Sequence, residues 1–300
     1  MEKKDNRVWV YILITFSLSW AYEIGVILPR VTADPSDQII QLLVTGCMFF
    51  PALGMLLTRL LTREGFRDMM LRPRFRGSVG KYLLAYFGPG LLTVAGAAVY
   101  YLAFPAKLDW SAPYFRQTME AAGMPYEAQA VPMSMLLAIQ AVQAFLLGGI
   151  INLVPSLGEE WGWRGYMMPR LLKKMKPVPA LLLGGVIWGL WHAPLTIMGH
   201  NYGLGYPGYP WMGIAAMCVF CVALGTLLTW LTVKTGSVIP AAIAHGAVNG
   251  IAALGSLVSA DGGVNQIFVH DRESRNIEQC SIRSGRYRQL PCLPCRQQRE

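Results

Sequence analysis

Hydrophobic residues run through this 300-residue chain in blocks of membrane-spanning length, with charged residues swept to the block ends. Windows of about 20 residues predict helices over 8–28, 39–61, 81–104, 132–153, 179–198, 211–233 and 238–258. From Pro177 to Ala260 the only formally charged side chain is Lys234, in a stretch long enough for three such helices. The pattern predicts an all-α polytopic membrane bundle with about seven visible spans. Between the fourth and fifth lies a less hydrophobic helical segment, 157–172, ending in Arg170, Lys173, Lys174 and Lys176. It either prolongs the fourth helix beyond a kink at Pro155 or lies in the membrane interface.

Composition supports the membrane reading: 54% of residues are hydrophobic, 14% are charged, and the mean hydropathy is +0.38. A soluble domain carries about 25% charged residues. The net charge of +9 is distributed as topology. Lys3, Lys4 and Arg7 precede the first span; Arg63, Arg67, Arg72, Arg74, Arg76 and Lys81 fill the second connection; and Lys173, Lys174, Lys176 and Lys234 fall at the same end. The positive-inside rule puts that end, and the N-terminus, in the cytoplasm. The charge therefore serves orientation and contact with membrane lipids, and nucleic acid is not an expected partner. The first span lacks a small-residue cleavage signature and reads as a retained helix, with its Glu23 expected to snorkel to the outer interface and a place in the lining of an internal cavity as the second reading. The Tyr- and Gly-rich loop from His200 to Pro210 reads as a surface turn, with a cap over the outer end as the second reading.

Residues 1–260 are expected to form the membrane domain and 261–300 a polar, disordered tail. That tail supplies seven arginines and half of the six cysteines. Its Cys292-x-x-Cys295, with Cys280 and His270 upstream, lacks the second close ligand pair of a structural zinc site. Cys47, Cys218 and Cys221 lie in apolar spans as small core residues.

Candidate chemistry sits in three places. The run Gly158-Glu159-Glu160-Trp161-Gly162-Trp163-Arg164 brings ionisable groups to membrane depth, where they mark function by default. On a helix Glu160 and Arg164 share a face, which leaves Glu159 the freer carboxylate and a candidate general base; a purely structural Glu-Arg network is the alternative. In the fifth span His192 follows Trp188 by one turn, so the indole can wall a pocket beside the imidazole. In the seventh, His245 and Asn249 are also four apart and share a face. Glu, two His and Asn are the parts needed to activate water and stabilise an oxyanion.

The joint order of Glu-Glu-x-x-x-Arg, aromatic-x-x-x-His and His-x-x-x-Asn over residues 158–250 resembles the CPBP family of intramembrane proteases, which includes type II CAAX prenyl endopeptidases and bacteriocin self-immunity proteins. The resemblance implies a bundle of usually eight spans, of which an eighth is not visible here, and an endopeptidase acting near a hydrophobic or lipid-modified, for instance prenylated, C-terminus. It implies that Glu159 and His192 activate water, that His245 and Asn249 stabilise the oxyanion, and that Glu160, Arg164 and Trp188 support them. Trp188 stands where the family commonly has Phe. The resemblance admits two mechanisms, a metalloprotease with a zinc site built from Glu159, His192 and His245, which is the expectation taken here, or a glutamate-activated water without metal. The location would be a plasma membrane in a bacterium or the endoplasmic reticulum in a eukaryote, and the catalytic cavity is expected to open toward the basic, cytoplasmic side. A proton-coupled transporter and a non-enzymatic membrane immunity or scaffold protein are the alternative classes.

Overall fold

The computed structural model describes residues 6–260 apart from Ser36 and Ala122, so the polar tail with its Cys-x-x-Cys, and Lys3 and Lys4, lie outside the described residues. The first span is α1 (Arg7–Tyr22), a π-turn (Glu23–Ile27) and α2 (Leu28–Ala33). The second is split into α3 (Ile39–Cys47) and α4 (Phe50–Leu61), the latter opened by Pro51. Then come α5 (Val79–Ala103), the short α6 (Pro113–Ala121) and α7 (Met133–Ile151). The glutamate segment forms α8 (Leu153–Gly162), a π-turn (Trp163–Met167) and α9 (Met168–Lys174). The remaining helices are α10 (Pro177–Trp191), α11 (Ala193–Ile197), α12 (Trp211–Thr235) and α13 (Ile239–Ile251). Among the described residues there is no strand, only an isolated bridge between Leu108 and Ser259.

The all-α membrane bundle expected from the hydrophobic blocks is what the chain forms. Among the described residues six helical stretches are long and apolar enough to cross a membrane. The fifth expected span is shorter, because it breaks after Trp191 at the approach to Pro194, whose ring cannot continue the ladder.

Helix α13 is the centre of the bundle and packs against α5, α7, α8 and α12; α10 lies along α12, and α1 and α8 both lie along α4. The segment carrying Glu159 and Glu160 therefore runs through the protein interior, which settles the choice between an inward continuation of the fourth span and an interfacial helix. Two glycines let it pass so close to the second span. A Cβ on Gly158 would come within 2.6 Å of the Met48 carbonyl oxygen, and one on Gly162 within 2.6 Å of the Pro51 carbonyl carbon. Larger residues at either position would push the two glutamates out of place.

Candidate active site

The break in the fifth span builds the first element of the site. At the end of α10 the His192 backbone N–H turns to the Gly189 carbonyl, three residues back, at 3.2 Å. The Trp188 carbonyl, its usual partner four residues back, instead accepts a hydrogen bond from His192 Nδ1 at 2.9 Å. A carbonyl can only accept, so Nδ1 carries the proton and Nε2 is left as a basic lone pair.

Trp188 is the hub of the remaining contacts. Its Nε1–H donates to Glu159 Oε2 at 2.7 Å, and Trp163 Nε1–H donates to the same oxygen at 3.3 Å. Its ring centroid lies 5.8 Å from that of His192 and 5.4 Å from that of His245. The Arg164 guanidinium sits over its face, 4.0 Å from the centroid. Behind this layer Glu160 Oε1 accepts from Arg164 Nη1 and from His245 Nδ1, each at 2.9 Å. Glu160 is fully buried and Arg164 is 3% exposed, so their charges compensate each other away from water.

The expected pairing of Glu160 with Arg164 is present, and Glu159 is held apart from it by the two indoles. Glu159, Trp188, His192, His245 and Asn249 line one cavity of about 580 Å³, whereas Glu160 and Arg164 stand behind its wall. Trp188, expected to wall a pocket and to support the site, does so through a hydrogen bond that fixes Glu159. Trp163 was not singled out in the sequence, although it stands one turn from Glu159 on the same face. The cavity also takes in Cys47 of α3, Asn152 at the start of α8, and His200, Asn201 and Tyr202. The first residues of the 200–210 loop are thus part of the cavity wall and not a plain surface turn. Burial lowers the proton affinity of the His200 imidazole and pushes the Tyr202 phenol up to about 12, so both present uncharged polar groups.

Two expectations need correction. The cavity does not face the basic end. Besides the central residues, its lining comes from the 41–48, 93–100, 195–202 and 217–221 stretches, which adjoin the opposite connections. The basic end is closed by the 62–78 connection. Glu64 is gripped there by Arg170 and Tyr166, the Met69 carbonyl accepts from Trp161 Nε1 at 3.0 Å, and the Met70 carbonyl accepts from the Val238 backbone at 2.9 Å. Glu23, expected to snorkel, is fully buried instead, because the π-turn it opens is directed inward against α3 and α11. As for zinc, Glu159, His192 and His245 do not assemble into a metal-binding group: among the described residues no three His, Cys, Asp or Glu side chains do.

A family model described as type II CAAX prenyl endopeptidase Rce1-like matches residues 140–251. The curated CAAX prenyl protease 2 of Methanococcus maripaludis is 31% identical over 99 residues, which cover 32% of this chain and 36% of that protein. The chain thus spans about a third of the length of this relative. Both comparisons bear out the resemblance read from the motifs: residues 140–251, which hold all three, are similar to the Rce1-like type II CAAX prenyl endopeptidases.

Proposed function

We propose that the protein is an intramembrane endopeptidase that hydrolyses a peptide bond near a lipid-modified C-terminus. One observation carries the reading. In a membrane bundle nearly stripped of charge, a carboxylate, two imidazoles and a carboxamide from three helices converge on a single cavity. Its volume falls in the range of about 300–1,000 Å³ used for small-molecule and cofactor binding. A prenylated peptide suits it, since the relative's name points to that substrate class and an apolar chain could be held beside the polar cluster.

In the proposed mechanism Glu159 and His192 Nε2 orient a water molecule, and Glu159 removes its proton as the oxygen attacks the scissile carbonyl. The resulting oxyanion is met by His245 Nε2 and the Asn249 carboxamide. An imidazolium at His245 is compensated by Glu160, which already accepts its Nδ1–H. As the C–N bond breaks, Glu159 returns the proton to the leaving amine. Because the donor set does not gather as three ligands, no step is routed through a metal.

The test is cleavage of a fluorogenic panel, prenylated and unmodified, by the full chain in nanodiscs. Glu159→Ala and His192→Ala should each lower kcat/KM by about 10²–10⁴-fold with the fold retained. Activity should survive chelator. A folded wild-type protein inert on every peptide would sink the enzymatic reading, and activity abolished by chelator and restored by zinc would sink the metal-free mechanism.

A further inference from the structure

Besides Glu159 and Glu160 the bundle buries a third carboxyl, which the proposed chemistry does not use. Glu23 opens the π-turn of the first span, is fully buried, and neither of its carboxyl oxygens has a hydrogen-bond partner. Buried polar atoms are ordinarily satisfied, and an isolated carboxylate at membrane depth is among the costliest groups a protein can hold. A π-turn inserts a residue into the helical ladder and re-aims its side chains, a device frequent at functional sites.

The surroundings of Glu23 tie it to the cavity. Its turn packs against α3 and α11, it lies beside the Cys47 thiol, and it is within electrostatic reach of Glu159. One turn earlier the same helix grips Trp191. The Ser19 hydroxyl accepts from Trp191 Nε1 at 2.7 Å, and Trp20 Nε1 donates to the Trp191 carbonyl at 3.1 Å. Trp191 in turn lies edge-on to the His192 ring, centroids 4.8 Å apart. The first span, which carries none of the three motifs, thus reaches the site from behind.

We propose that Glu23 is a positioning residue for this site: a second, uncharged carboxyl behind Glu159 that leaves Glu159 as the one ionised member of the pair. Two carboxyls close together in a medium of low polarity cannot both ionise cheaply, and the one with hydrogen-bond donors keeps the charge. Glu159 has two indole donors, whereas Glu23 has only the weakly donating Cys47 thiol beside it. The titratable groups around the turn are Tyr22 on its own span, Cys47 from α3, Glu159 from α8 and His192 at the head of α11, and none supplies a fixed positive charge. Arg30 of α2 is engaged by Asp37 at 3.0 Å. Ionising Glu23 would add a negative charge within electrostatic reach of Glu159, in a site where the oxyanion must also form, so activity should fall as that proton is lost.

The proposal rests on the hydrolytic reading only for its kinetic test. Infrared spectra of the full chain in nanodiscs should show, at neutral pH, the carbonyl stretch of a protonated carboxylic acid. The band should disappear in Glu23→Gln and persist in Glu159→Gln; a band unchanged in Glu23→Gln overturns the proposal, even in a protein inert on every peptide. In the active enzyme Glu23→Gln should move the alkaline limb of the kcat/KM profile upward by about one pH unit or more, with the acid limb in place. A merely structural role would lower kcat/KM at all pH values without moving either limb, and that result would also overturn it. Should Glu23→Gln not fold, Glu23→Asp keeps the acid on a shorter stem and is expected to shift the band; an unshifted band counts against the assignment.

Discussion

Replacing Arg164 with methionine tests the electrostatic frame of the site without any substrate. The guanidinium and the Glu160 carboxylate lie 2.9 Å apart with side-chain exposures of 3% and 0%. Arg164→Met keeps most of the buried stem and removes the charge, leaving Glu160 with His245 Nδ1 as its remaining donor. Breaking a buried ion pair from one side costs about 3–5 kcal/mol, because the surviving charge has lost its compensation. The imidazolium that the proposed mechanism assigns to His245 keeps part of that compensation, which places the expectation near the lower bound, about 3 kcal/mol. For a chain of this size that corresponds to a fall in Tm of about 6–12 °C, read by thermal unfolding in detergent or nanodiscs. The double variant Arg164→Met with Glu160→Gln removes both charges and should recover most of the loss, since a buried pair replaced together is close to neutral. A loss below about 1 kcal/mol in the single variant, or a double variant no more stable than the single, would refute the reasoning.

Trp188→Phe retains an aromatic wall but deletes the 2.7 Å donor to Glu159. A hydrogen bond to a charged group is worth about 1.5–3 kcal/mol, so kcat/KM should fall about 10- to 150-fold, and an unchanged value in steady-state kinetics would remove the indole from the site. Gly250→Ala should destabilise the bundle by about 1–3 kcal/mol, because a methyl group there would overlap the Gly148 backbone of α7; an unchanged unfolding midpoint would mean that this crossing can relax. Single cysteines at Phe66 and Leu204 should react with an impermeant maleimide from opposite faces of the membrane, Phe66 from the cytoplasmic one. Labelling of both from one side would contradict the spans, and reversed labelling would contradict the orientation drawn from the basic residues.

What the sequence discloses and what it withholds divide along physical lines. The spans are legible because burying backbone in lipid demands long helices, and such helices leave apolar blocks. The Glu160–Arg164 pair is legible because helical geometry brings residues four apart together. The direction of the cavity was not, since it depends on how the 62–78 connection folds back and is pinned by Arg170, Tyr166 and Trp161, contacts between residues far apart in the chain. The burial of Glu23 was legible only as the alternative to snorkelling, although a stronger signal existed. Tyr11, Thr15, Ser19 and Glu23 recur every four residues along an otherwise apolar span, and all four prove fully buried. A polar stripe at helical spacing in a membrane helix points to the protein interior, and it outweighs the inference from an acid's nearness to the end of its span.

The interruptions of the helices are themselves a guide to the site. Within hydrocarbon a freed backbone carbonyl has no water to turn to, so irregular backbone is tolerated only where protein groups satisfy it or a cavity wets it. Here the second span breaks beside Cys47 and Met48, the fourth at Asn152, the fifth at His192, and all of these residues line the same cavity. At two of the breaks a side chain reinforces or repairs the ladder: Asn152 Nδ2 joins its own backbone N–H on the Gly148 carbonyl at 2.9 Å, and His192 Nδ1 takes over the Trp188 carbonyl that its backbone N–H has left. The second repair does more than satisfy an acceptor. By spending Nδ1 on the backbone it fixes the His192 tautomer and presents Nε2 to the cavity, so the proline that shortens the fifth span also determines which nitrogen can act on water.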